Sequence, residues 1–148
     1  MDSVLPKLDI GPQSTPREII TAAIEVIVGW LDEHPNLYRF LRGRRDGALD
    51  SVETTLADSI AALLKMLMMF FGIEGEEAEP GAYGIVGLVE ATGGWWLDHR
   101  ELMSRERVTD LISGGVWHLL DGTARAHGIV LNYDDPLPTG VLSGQEVR

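Results

Sequence analysis

Residues 80–100 read PGAYGIVGLVEATGGWWLDHR, and this stretch decides the fold. Its larger residues, Ile85, Leu88, Val89, Thr92, Trp95, Trp96 and His99, recur at helical spacing. A second face carries small residues almost alone: Gly84, Gly87, Ala91 and Gly94. Glycine inside a helix costs roughly 1 kcal/mol relative to alanine. Several on one face therefore point to another backbone approaching closely there. The opposite side carries two tryptophans, which bury large areas. The stretch reads as a helix with two unlike partners. In one arrangement its small face meets a second copy of the chain and its aromatic face meets the chain's own interior. In the other it is the central helix of a monomeric bundle.

The helix that follows spans about 104–126, with Ser104 as its cap and Gly128 just past its end. Val108, Leu111, Ile112, Val116, Leu119 and Leu120 are its expected buried positions, and Gly114, Gly115 and Gly122 give it a small-residue patch of its own. The link DHRELMS is short, so the two helices are expected to lie antiparallel as a hairpin. Such a hairpin pairs readily with its two-fold copy into a four-helix bundle. At 1.5 Å per residue each helix is roughly 30 Å long, enough for an interface of about 2,000 Å² or more.

Upstream, Thr15, Pro16 and Glu18 have the spacing of a capping box with proline in the first turn. The helix they open carries Ile19, Ile20, Ala23, Ile24, Ile27, Trp30 and Leu31, and it should stop at His34, before Pro35. Pro35 opens a short helix with Leu37, Tyr38, Phe40 and Leu41 on its apolar side. A third helix spans 48–72, with Asp50 or Ser51 as its cap, apolar positions from Val52 to Phe71, and Gly72 as its stop. The acidic link IEGEEAEPG reads as a solvated connection. The fold expected is all-α: an antiparallel bundle of about five helices, the last two forming a dimeric four-helix bundle. Residues 1–14 read as a lead-in, 15–127 as the domain and 128–148 as a flexible tail.

The chain has 148 residues, 45% of them hydrophobic, which suits one domain with a real core. No apolar run reaches the roughly 18–20 residues that span a bilayer, so no membrane partner is expected. There is no cysteine, which excludes disulfides and thiolate metal sites and fits a reducing cytoplasm. The net charge of −11 disfavours duplex DNA, where affinity comes largely from Lys and Arg on phosphates.

Chemistry-bearing motifs are sparse. His34, His99, His118 and His127 form no HExxH, and the one-turn pair His118 with Asp121 lacks the further ligands a metal needs. His34 fits a helix end, bonding terminal carbonyls. There is no nucleophile elbow, GxGxxG or P-loop, and no carboxylate pair inside an apolar run. The chain is expected not to be an enzyme and to need no metal or cofactor. Arg39, Arg42, Arg44 and Arg45 form a basic patch that reads first as a solvated helix end. A more suggestive set is Trp30, His34, Tyr38, Met66, Met69, Phe70, Thr92, Trp95, Trp96 and His99. These lie near helix ends that can converge on an apolar ligand pocket with a few polar anchors. Individually, each also reads as ordinary core.

LDEHPNLYRFL at 31–41, followed by a long helix and then GIVGLVEATGGWWLDHRELMSRERVTDLI at 84–112, resembles the C-terminal domain of TetR-family transcriptional repressors, especially actinobacterial ones. The likeness covers about residues 15–127. It implies an effector-binding and dimerisation domain. The last two long helices would then build the dimer through Gly84, Gly87, Ala91, Gly94, Leu111, Gly114, Gly115, His118 and Gly122. The family's small-molecule effector lies among the preceding helices, and DNA is read by an N-terminal helix-turn-helix. That element is missing here, since only 1–14 precede the first helix. The chain is expected to be either a piece of a longer regulator or a headless relative, and not to bind operator DNA alone. The other functional reading is a stand-alone helical homodimeric scaffold that takes no ligand.

Overall fold

The Thr15 hydroxyl accepts the Glu18 backbone N–H at 3.1 Å, and the Glu18 carboxylate accepts the Thr15 N–H at 3.3 Å. This capping box starts α1, Pro16–Glu33, with Pro16 in its first turn. Thr15→Ala removes one of those acceptors and is expected to lower stability by about 1 kcal/mol, read as a fall in thermal midpoint. His34 leaves helical geometry ahead of Pro35, and its Nδ1 lies 3.1 Å from the Trp30 carbonyl. That is the helix-end role its position suggests.

A computed structural model describes residues 13–43 and 48–137. Beyond α1, their α-helices are α2 Pro35–Gly43, α3 Ala48–Phe70, α4 Ala78–Leu97 and α5 Arg105–Ala126, with a 3-10 turn at Gly75–Glu77 before α4. No strand occurs among the described residues, so the chain is all-α. Most of the lead-in, Arg44, Arg45 and residues 138–148 lie outside the described residues. So do the side chains of Phe40, Arg42, Asp50 and Ser51.

Glycine ends two of the helices for a backbone reason. Gly72 and Gly128 have φ of 74° and 75°, the left-handed region that costs glycine little. After each, the next N–H reaches back to a helix carbonyl, Ile73 to Met68 at 2.8 Å and Ile129 to Ala124 at 2.9 Å. These bonds satisfy carbonyls left over at a helix end.

Helix α4 starts at Ala78, earlier than the periodicity suggests, so part of the supposed solvated link is helix. Pro80 falls in its first turn, where its missing N–H would have had no partner, and Ala78 is buried. Ser104 caps α5 by accepting the Arg107 N–H at 3.1 Å.

Helix α4 packs against α3, α5 and α1. Ile24, Val28 and Leu31 of α1, Ile85, Val86 and Val89 of α4, and Val108, Ile112 and Val116 of α5 form the centre of the core. Two buried glycines that the sequence pattern does not single out sit at close approaches, Gly29 beside the Arg105 guanidinium and Gly93. A Cβ on Gly93 would lie 2.7 Å from Leu31 Cδ1, with both residues buried.

The stretch after α5, expected as a flexible tail, makes defined contacts over its first part. Tyr133 stacks on Trp117 with ring centres 4.9 Å apart, and Arg17 bonds Asp134.

Candidate functional site

The outer face of the α4–α5 hairpin is built from the residues that the core does not use. Gly84, Gly87, Ala91, Leu111, His118, Leu119 and Gly122 are exposed, and Gly114 and Gly115 are partly so. Built at Gly84, Gly87, Gly114 or Gly122, a Cβ would meet nothing within 4 Å. The protomer therefore does not explain these glycines by its own packing. Gly115 differs, because its Cβ would lie 3.1 Å from Leu88 Cδ2. It lets α4 and α5 of one chain approach each other. Gly94 departs from the expected face: it is buried within the protomer. It follows Gly87 by two turns, at the connected end of the hairpin. His118 is exposed on this face, and Asp121 is bonded by Arg125 at 3.0 Å rather than by the histidine. No group of three or more metal-ligating side chains occurs among the described residues.

The proposed pocket residues divide into two groups. Gly81 near the start of α4 lies beside Leu64 of α3, a Cβ there being 3.7 Å from Leu64 Cδ1. Met66, Met69 and Phe70 follow Leu64 and so belong with the beginning of α4. Trp95, Trp96 and His99 belong to its end. From Gly81 to Trp96 the helix rises roughly 22 Å at 1.5 Å per residue. One pocket does not gather both groups, because two antiparallel helices joined by a tight turn place the end of the first at the start of the second. Met69 is also 66% exposed.

The second group is coherent. Leu31 against Gly93 sets the ends of α1 and α4 side by side. Asp32 pairs with Arg100 and Arg105, tying the end of α1 to the α4–α5 connection. Arg39 of α2 donates to the Leu97 carbonyl at 3.2 Å and to Asp98 at 2.9 Å, neutralising the negative end of α4. The basic patch reads in sequence as a solvated helix end, and Arg39 instead bridges α2 to the end of α4. Trp30, His34, Tyr38, Thr92, Trp95, Trp96 and His99 therefore share one end of the bundle.

Two matched pairs stand there. Trp30 stacks with His34 at 5.2 Å between ring centres, and Trp95 with His99 at 4.3 Å. In each pair the histidine Nδ1 lies within hydrogen-bond distance of the tryptophan carbonyl one turn back. Trp30 and Trp95 are 39% and 43% exposed, so their rings present apolar surface outward. Trp96 is buried and donates from Nε1 to the Met103 carbonyl at 2.8 Å, under the Arg100 guanidinium. Tyr38 is buried, and Thr92 and His99 are half-buried.

Sequence reading missed Arg17, Trp117, Tyr133 and Asp134. Arg17 Nε bonds Asp134 Oδ1 at 2.5 Å across 117 residues of chain. Hydrogen bonding to Arg17 holds the Asp134 carboxyl below its usual range and raises Arg17. The pair therefore contributes above the ordinary carboxylate range and is lost as pH falls through the depressed value.

No described helix is long and apolar enough to cross a membrane. No protein-family model matches the chain, and no solved structure matches it. It is similar to two curated proteins, each described as an uncharacterised HTH-type transcriptional regulator. They come from Mycobacterium tuberculosis strains CDC 1551 / Oshkosh and ATCC 25618 / H37Rv. Each is 30% identical over 132 residues, covering 85% of this chain and 54% of the relative. The chain thus spans about half the length of the relatives it matches.

Proposed function

We propose that the chain is the effector-binding and dimerisation domain of a TetR-type transcriptional regulator. The observation that carries this reading is the outer face of the hairpin. Two consecutive long helices keep glycines in their interiors with open space above them, alongside exposed Leu111 and Leu119. A monomer gains nothing from that arrangement, whereas a second copy of the same face does. The likeness to proteins named HTH-type regulators supports the regulatory half of the reading. DNA contact is assigned to a helix-turn-helix outside this acidic sequence.

The effector is an apolar or aromatic small molecule. Its place is the end of the bundle that holds Trp30, His34, Tyr38, Thr92, Trp95, Trp96 and His99, where aromatic surface stands beside titratable and hydroxyl groups. Met66, Met69 and Phe70 are left out of the site on geometric grounds. A ligand that prefers one arrangement of α1 and α4 shifts the dimer towards it, and with it the heads that read DNA.

A panel of aromatic and apolar compounds, followed by thermal shift, tests the reading. A true effector at 100 times its Kd raises stability by about 2.7 kcal/mol and so raises the melting point. Trp30→Phe with Trp95→Phe is expected to weaken that shift. A dimer that no compound stabilises turns the reading towards a ligand-free scaffold. A monomer at all concentrations overturns it.

A further inference from the structure

A helix leaves the N–H groups of its first turn without partners inside the helix. In α1 each of them is accounted for, and one by an unexpected group. Pro16 has no N–H. Glu18 donates to the Thr15 hydroxyl, and Ile19 donates to the Thr15 carbonyl at 3.0 Å. Arg17 donates to the carbonyl of Tyr133, 2.9 Å away and beyond the far end of α5. The same two residues meet through their side chains, with the Arg17 guanidinium 4.3 Å over the Tyr133 ring. Arg17 also holds Asp134, with Nε–Oδ1 at 2.5 Å and Nη2–Oδ2 at 3.3 Å. The turn that presents these groups is held locally: Asn132 Oδ1 accepts the Asp134 N–H at 2.9 Å. Below it Tyr133 lies nearly flat on Trp117, with 18° between the rings, and Trp117 is otherwise a buried residue of α5.

We infer that residues 129–135 are a latch that completes the cap of α1 and fixes the point where the preceding chain joins the domain. The geometry makes it releasable. Arg17 and Asp134 have side chains 55% and 65% exposed, and exposed ion pairs contribute little each. Past the helix-end bond of Ile129, the segment is held to the rest of the domain through the Tyr133 ring, the Arg17–Tyr133 backbone bond and the Arg17–Asp134 ion pair, so it opens by local fluctuation well below global unfolding. On release α1 loses a first-turn partner and Trp117 loses its cover. The chain's C-terminal segment and the start of α1 are thereby coupled through contact. This inference does not depend on the regulator reading.

Amide hydrogen exchange by NMR on the full 148-residue chain tests it. In Tyr133→Ala the Arg17 amide is expected to exchange faster by about tenfold or more, while amides in the middle of α5 keep their protection. The Trp117 indole resonance should move as well, because it loses a stacked ring. Tyr133→Phe keeps the ring and the backbone carbonyl and should match the unaltered chain in both readouts. Two results overturn the latch. One is an Arg17 amide that exchanges at the same rate in Tyr133→Ala. The other is a loss of protection shared equally by all of α5, which would make Tyr133 a general packing residue.

Discussion

Ile112→Ala is expected to destabilise the domain by about 2–5 kcal/mol, the range for deleting a buried branched side chain and leaving a cavity. Ile112 is 1% exposed and is among the largest fully buried side chains. It sits where α5 meets the core built by α1 and α4. The cluster it belongs to includes Val28, Val86, Val89, Val108 and Val116, which are stiff at χ1 and ill suited to collapse into a gap. For a chain of this size, each kcal/mol moves the thermal midpoint by about 2–4 °C. The melting point should therefore fall by roughly 4–20 °C. Leu111→Ala is the control one residue away. Leu111 is 55% exposed, so its loss should change the protomer's own stability by only about 0.5 kcal/mol. A melting point that falls as far for Leu111→Ala as for Ile112→Ala at dilution would contradict the assignment of faces.

Gly87→Leu combined with Gly122→Leu is expected to turn the proposed dimer into a monomer, seen as a halved mass by light scattering. At both positions a new Cβ meets nothing within 4 Å in the protomer. Within a helix, leucine is favoured over glycine by nearly 1 kcal/mol. Folding of the single chain is therefore preserved, and loss of mass reports the interface rather than misfolding. Gly115→Leu is a poorer probe, because Leu88 of the same chain already occupies that space. Two bulky side chains would hold the proposed four-helix bundle apart by several ångströms. Contact between helix axes that must approach to about 8–10 Å would be lost. An unchanged mass would place the dimer contact elsewhere on the molecule.

The parts of this protein that local chemistry controls were legible in the sequence. Thr15, Glu18 and Pro16 declare a helix start, because the partners they satisfy lie within one turn. Ser104 does the same for α5. Gly72 and Gly128 declare stops, because only the backbone conformation of one residue is at issue. Helical periodicity then puts Ile85 inside and Gly84 outside, but it puts Leu111 inside together with Ile112, and packing leaves Leu111 55% exposed. The start of α4 was missed because the acidic, proline-bearing run 73–81 reads as a link. Proline is compatible with a first turn, and Ala78 carries too little apolar signal to mark the helix.

The tertiary structure alone decided which helix ends meet. Met69 and Trp95 look equivalent as apolar residues near helix ends, yet the antiparallel packing of α3 on α4 sets them at opposite ends of the bundle. Gly94 and Gly93 are neighbours in sequence, and only the approach of Leu31 reveals that Gly93 carries the close contact. Arg17 and Asp134 share no local pattern at all. By itself, the sequence determined that these helices form and where most of their ends fall, since those are matters of single residues and single turns. Which faces converge, which glycines stay open, and that the C-terminal segment returns to cap α1 depend on contacts between distant residues. Those follow from how the whole set of helices fills one core.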